Sequence, residues 1–134
     1  MLRLGLAAIA IALTASAPLA SSAHADSASD FIAKWDTDHD ETLDLAEINK
    51  AADVEFGKLD VDHDGTLDQK ELGNRVTKAE FMATDKDHDG TLDKAEYQSL
   101  VAKRFSVANR DKDTTIEVNE LRTGEGRKLL RLLQ

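Results

Sequence analysis

Apolar residues recur along this chain at helical intervals, broken by short acidic stretches. Ile48, Ala52, Phe56 and Leu59 fall at steps of three and four, the spacing that lines one face of an α-helix. Tyr97, Val101, Phe105 and Ala108 repeat the stripe 49 residues later, and Phe31 with Trp35 make a shorter one upstream. Such stripes predict helices with a buried face rather than ligand sites. Gly73 and Asn74 read as a helix stop, and Thr77-Lys78-Ala79-Glu80 as a capping box opening a new helix. The chain should therefore reverse between them. The closing RKLLRLLQ is amphipathic and is expected to close a helical bundle, with a partner-binding helix as the lesser reading.

The polar stretches are repeats. DHDGTLD occurs at 62–68 and again at 87–93, and DHDETLD at 38–44. Aligned, they give twelve-residue loops starting at Asp36, Asp60 and Asp85, with NRDKDTTIEVNE from Asn109 as a weaker fourth copy, successive starts lying 24 or 25 residues apart. Each has Asp or Asn first, Asp at positions 3 and 5, an acid at 9 and Glu at 12.

This order resembles the EF-hand loop, D-x-[DN]-x-[DN]-G-x5-E. A hard cation wants six to eight oxygens. Side chains at 1, 3 and 5 turn inward, position 7 offers its carbonyl, position 9 acts often through water, and Glu at 12 closes the site. The candidate ligands are Asp36, Asp38, Asp40, Thr42, Asp44 and Glu47 in loop 1. Loop 2 offers Asp60, Asp62, Asp64, Thr66, Asp68 and Glu71, and loop 3 offers Asp85, Asp87, Asp89, Thr91, Asp93 and Glu96. Loop 4 offers Asn109, Asp111, Asp113, Thr115, Glu117 and Glu120. Loops 2 and 3 satisfy every position. Glu41 and Thr114 stand where position 6 calls for glycine, and a side chain at positive φ costs about 1 kcal/mol. With Asn109 also removing a charge, loop 4 should bind worst and the middle two best.

Position 8 is Leu43, Leu67, Leu92 or Ile116, where paired loops join in a short ladder. The reversal at 73–77 should set loop 2 beside loop 3, while the outer connectors, about 12 residues and ~18 Å long as helix, carry loops 1 and 4 together at the other end. The expected fold is all-α: a compact helical bundle with four EF-hand loops, 2 with 3 and 1 with 4, paired through two-stranded β ladders.

Residues 1–25, MLRLGLAAIAIALTASAPLASSAHA, stand apart from this pattern. A basic start, an apolar middle and a small-x-small ending read as a secretory signal cut before Asp26. The apolar run is short for a membrane anchor. Residues 26–134 then form a single metal-binding domain. Only Arg3 among the charges lies before Asp26, so 26 acidic residues face 16 basic ones, a charge of −10. Such a chain avoids nucleic acid and anionic membrane and attracts cations. It has no cysteine, so an exported domain this small must find its staple in a metal rather than a disulfide.

Taken together, the signal, the four closely spaced loops, the acids at position 9 and the Asn-started fourth loop resemble lanmodulin, a periplasmic lanthanide-binding EF-hand family. The resemblance spans the chain from Asp26 onward. It implies selective binding of lanthanide(III) ions, metal-driven compaction, a periplasmic location and a part in lanthanide uptake or trafficking. One departure is plain: that family typically has proline at loop position 2, and this chain has Thr37, Val61, Lys86 and Arg110.

Charge bears on which metal. Loops 1 to 3 each offer five carboxylates at the ligand positions, an excess that a trivalent ion neutralises better than Ca2+, whereas Mg2+ wants near-ideal octahedral geometry and keeps its water. His39, His63 and His88 at position 4 should be exposed side chains of a repeat rather than a soft-metal site. No nucleophile is matched with a base, so an enzyme is not expected. A monomeric lanthanide buffer, carrier or switch, acting with a periplasmic protein partner, is the first expectation. A calcium-binding sensor or buffer, or a calcium-stabilised interaction module, is the second.

Overall fold

Every acidic loop is entered and left by a helix, and the apolar stripes set where each helix lies. The computed structural model describes residues 26–134, and the expected export signal lies outside them. The elements run α1 (Ser27–Trp35), β1 (Leu43–Asp44), α2 (Leu45–Leu59), β2 (Thr66–Leu67), α3 (Gln69–Leu72), α4 (Lys78–Thr84), β3 (Leu92–Asp93), α5 (Lys94–Ala108), β4 (Thr115–Ile116), α6 (Val118–Leu121) and α7 (Gly124–Leu132). No helix among them is long and apolar enough to cross a membrane.

The long connectors α2 and α5 have 15 residues each, about 22 Å of helix. The first buries Ile48, Ala52, Phe56 and Leu59, and the second Tyr97, Val101, Phe105 and Ala108, as their stripes predict. They pack on one another, with Phe56 and Tyr97 edge to face at 5.6 Å between centroids.

The reversal between loops 2 and 3 is built as the sequence implies. Gly73 ends α3 at φ +54°, in the left-handed region that glycine enters most easily. Thr77 and Glu80 then cap each other's backbone N–H groups at the start of α4, an arrangement of the kind that contributes about 1 kcal/mol. The turn lays β2 antiparallel to β3, with Leu67 opposite Leu92, while β1 and β4 pair at Leu43 and Ile116. All four of these ladder residues are fully buried.

Helix α7 closes the bundle, beginning earlier than the leucine-rich stretch, at Gly124. It buries Leu129, Leu130 and Leu132 and packs mainly on α5 and α6. Polar groups fix its register. The Tyr97 hydroxyl donates to the Leu132 carbonyl at 2.7 Å, and the Arg104 guanidinium donates to the carbonyls of Lys128 at 2.7 Å and Arg75 at 2.9 Å. Burial pushes the Tyr97 phenol well above its ordinary pKa, so it remains a donor.

Candidate metal centre

In each loop the closing glutamate ties the two ends together. One carboxylate oxygen accepts the N–H of position 2: Thr37 to Glu47 at 2.6 Å, Val61 to Glu71 at 2.9 Å, Lys86 to Glu96 at 2.7 Å, Arg110 to Glu120 at 2.6 Å. The other accepts the N–H of position 9, from Asp44, Asp68, Asp93 and Glu117, at 3.0 to 3.2 Å. A proline at position 2 could not make the first bond, and none of the four loops has one.

Position 5 also has a structural task. Asp40, Asp64, Asp89 and Asp113 each accept the backbone N–H of the threonine at position 7, at 2.8 to 2.9 Å. Those threonine hydroxyls donate to the same carboxylates. Position 9 starts the following helix: Asp44, Asp68 and Asp93 each accept the N–H of the glutamate three residues on, at 2.8 Å. These aspartates form capping boxes with the closing glutamates.

Carboxylate oxygens converge in loops 1 to 3. Within each of three groups the oxygens lie inside 4.8 Å of one another: Asp36, Asp38 and Asp40; Asp60, Asp62 and Glu71; Asp85, Asp87 and Glu96. The position-9 acids lie outside these clusters, as do Glu47, Asp64 and Asp89, and among the described residues loop 4 forms no such cluster. In loop 3, Asp85 is 6% exposed and its Oδ1 is buried without a hydrogen-bond partner. Leaving a buried carboxylate oxygen unmatched is costly, and the donor set around it is all oxygen. That fits a hard cation, which Asp85, Asp87 and Glu96 would hold.

The clustered charge perturbs ionisation. Desolvation, with the charges of Asp40 and Glu47, raises the Asp38 carboxyl above the usual range. At Asp87 the Asp89 N–H pulls downward, but desolvation and the charges of Asp89 and Glu96 prevail and raise it. Asp36 moves the other way. Desolvation works against it, but three backbone N–H groups, from Glu41, His39 and Asp40, outweigh that and lower it.

A model of the EF hand family matches the chain twice, over residues 52–77 and 77–101. Residues 52–101 are thus similar to two successive EF hands. Both matches contain a loop with glycine at position 6, and both departing loops, 1 and 4, fall outside them. No curated protein shows a significant match to the chain.

Two backbone features escaped the sequence reading. Position 4 of every loop is left-handed: His39, His63, His88 and Lys112 have φ between 59° and 62°. Histidine is among the side chains enriched there, which accounts for its threefold recurrence at this EF-hand position. All three histidines are exposed, as expected.

The second feature is a correction. Gly65, Gly90 and Glu41 take φ of +87°, +89° and +67° at position 6, but Thr114 is not among the positive-φ residues. In loops 1 to 3 the Asp at position 1 accepts the position-6 N–H, from Glu41 at 2.9 Å, Gly65 at 3.1 Å and Gly90 at 3.1 Å. Asn109 presents an amide instead, whose Nδ2 donates to the Asp113 carbonyl at 2.8 Å. The peptide joining positions 5 and 6 is thus turned over in loop 4, and the demand for glycine disappears. At position 6 the strain falls on Glu41. Asn109→Asp alone should restore the acceptor but force Thr114 into the left-handed region. Asn109→Asp with Thr114→Gly should instead create a working loop, tightening metal binding there about tenfold or more over the single substitution. Isothermal titration would show one additional equivalent bound.

Proposed function

We propose that this EF-hand protein is an exported carrier or buffer of hard cations, taking one ion in each of loops 1, 2 and 3 and holding trivalent lanthanides more tightly than calcium. The observation that carries cation binding is the unmatched, buried Asp85 Oδ1 in a cluster with Asp87 and Glu96. The lanthanide preference rests on the five acids at the ligand positions of each of these loops, on their close spacing and on the resemblance to lanmodulin. Export to the periplasm rests on the signal-like residues 1–25. In this reading the ligands are the oxygens of positions 1, 3, 5, 9 and 12 and the carbonyls of Thr42, Thr66 and Thr91. Bound charge relieves the repulsion among them, so binding and compaction are one event.

A calcium sensor, buffer or calcium-stabilised interaction module is the second reading, and one observation favours it. The position-9 aspartates are engaged as helix caps, in boxes shared with the closing glutamates, which leaves the carboxylates of positions 1, 3 and 5 outside that task. Titration with La3+ and with Ca2+ at buffered free metal separates the two. Trp35 sits immediately before Asp36, so Tb3+ luminescence excited through its indole reports loop 1. The lanthanide reading expects folding at free La3+ at least about tenfold below the Ca2+ requirement, because ligand charge tunes such sites. Folding at similar concentrations of the two ions would leave the calcium reading. Capture of a protein partner only when metal is bound would mark a switch rather than a buffer.

A further inference from the structure

At the end of the bundle where α7 meets α1 and the turn after α3, three arginines border one cavity of about 400 Å³: Arg75, Arg127 and Arg131. Ser27, Asn74 and Gln134 complete its polar lining, and Leu130 forms an apolar wall. None of these residues belongs to a metal loop.

In a domain of charge −10, basic side chains should find acids easily, and most in this region do. Arg122 pairs with Asp26, Lys128 with Glu125, Arg75 with Glu55, and Arg104 with Glu80. Arg127 and Arg131 have no such pair among the described residues, and both are exposed. They stand four residues apart on α7, hence on one face, with like charges that repel.

Arg75 supplies a fixed third group. One of its guanidinium nitrogens donates to the Glu55 carboxylate at 3.3 Å and to the Gln134 carbonyl, and its Nε is buried without a partner. Glu55 is 3% exposed and is shared with Lys58. Asp26 also lies near: its carboxylate is engaged by Arg122 and by the Ala28 N–H, and it feels the charge of Arg127 without a direct ion pair.

From this geometry we infer that the cavity binds a phosphate-type oxyanion, held between Arg127 and Arg131 with Asn74 as a further donor. Planar guanidinium groups present parallel N–H pairs that match tetrahedral oxyanions, and two of them side by side neutralise a doubly charged one. Leu130 accommodates the carbon skeleton of an ester. The phosphate comes either from a small soluble ester or from a lipid headgroup, since the same end of α7 is basic and surface-facing.

The test uses isotope-labelled, calcium-loaded protein titrated with glycerol 3-phosphate and, separately, with inorganic sulfate. Saturable shifts of the Asn74 amide and the arginine Nε–H signals are expected. They should weaken at least tenfold in R127A/R131A, with circular dichroism and calcium stoichiometry unchanged, because both side chains are exposed. R127K/R131K keeps the charge without the fork and should bind more weakly than wild type. Sedimentation with phosphatidylglycerol vesicles against phosphatidylcholine vesicles identifies the source: arginine-dependent vesicle binding without a response to glycerol phosphate assigns a lipid headgroup. Absence of both responses, or responses equal in R127A/R131A and wild type, would overturn the assignment.

Discussion

Metal-free protein, prepared by chelation and desalting, is expected to lose roughly a third or more of its far-UV helical signal and to recover it on metal addition, because ordering the sites and ordering the fold are coupled. In each of loops 1 to 3, three carboxylates come within 4.8 Å of one another. Two unit charges at that separation repel by about 1 kcal/mol even in bulk water. The same mutual repulsion recurs in each of the three loops, and a small domain has little stability to spare against it. Backbone N–H donors offset part of this, but the ladders at Leu67–Leu92 and Leu43–Ile116 join loops that repel. The pH dependence follows from the same groups. Asp38 and Asp87 have raised folded-state pKa values, so the folded metal-free form takes up protons before the unfolded one does. Its stability should therefore rise as pH falls from neutrality towards about 4, near the ordinary aspartate value. From there downward Glu80, Asp26, Asp36 and Asp89, which are all lowered, protonate at a cost and the trend reverses. Circular dichroism of metal-free protein from pH 7 to pH 3 reads both arms. A helical signal unchanged by metal at neutral pH would exclude the coupling.

Much of this architecture could be read from spacing alone. Gly73 and Thr77 mark the break between α3 and α4, and that break decides which loops pair. The stripes ending at Leu59 and Ala108 position the loops because helix periodicity converts sequence intervals directly into faces. What spacing could not show was the orientation of individual peptides. The turned-over peptide at Asp113–Thr114 depends on whether position 1 offers an oxygen or an amide at one point in space. A signal was present, since Asn at position 1 and a non-glycine at position 6 occur together in loop 4. The second task of Asp44, Asp68 and Asp93 was written as D-x-x-E, the same order as a capping box, but a ligand and a helix cap demand the same acid and composition cannot divide them. The arginines were hidden for another reason: Arg75, Arg127 and Arg131 are far apart in sequence and meet only because α7 folds back over the turn after α3.

Gly126→Ala is expected to destabilise the protein by about 3 kcal/mol or more, at the upper end of what overpacking costs. A Cβ built at this position would lie 2.1 Å from the Glu120 carbonyl oxygen and 2.5 Å from the Leu121 Cα. Both are backbone atoms, so no rotamer change relieves the clash and α7 itself must move away from α6. Moving α7 withdraws Leu129, fully buried, and strains the bonds from Tyr97 to the Leu132 carbonyl and from Arg104 to the Lys128 carbonyl. Glu120 is also the closing residue of loop 4, whose carboxylate takes the N–H groups of Arg110 and Glu117, so the disturbance reaches the β1–β4 ladder and loop 1 beyond it. Thermal unfolding with metal present should show a midpoint lowered by roughly 10 to 20 °C for a domain of this size. Loop 1 luminescence through Trp35 should weaken, while loops 2 and 3 keep their metal. Gly124→Ala provides the contrast, because a Cβ there meets nothing within 4 Å. Equal midpoints for the two variants would contradict the close approach of α7 to α6.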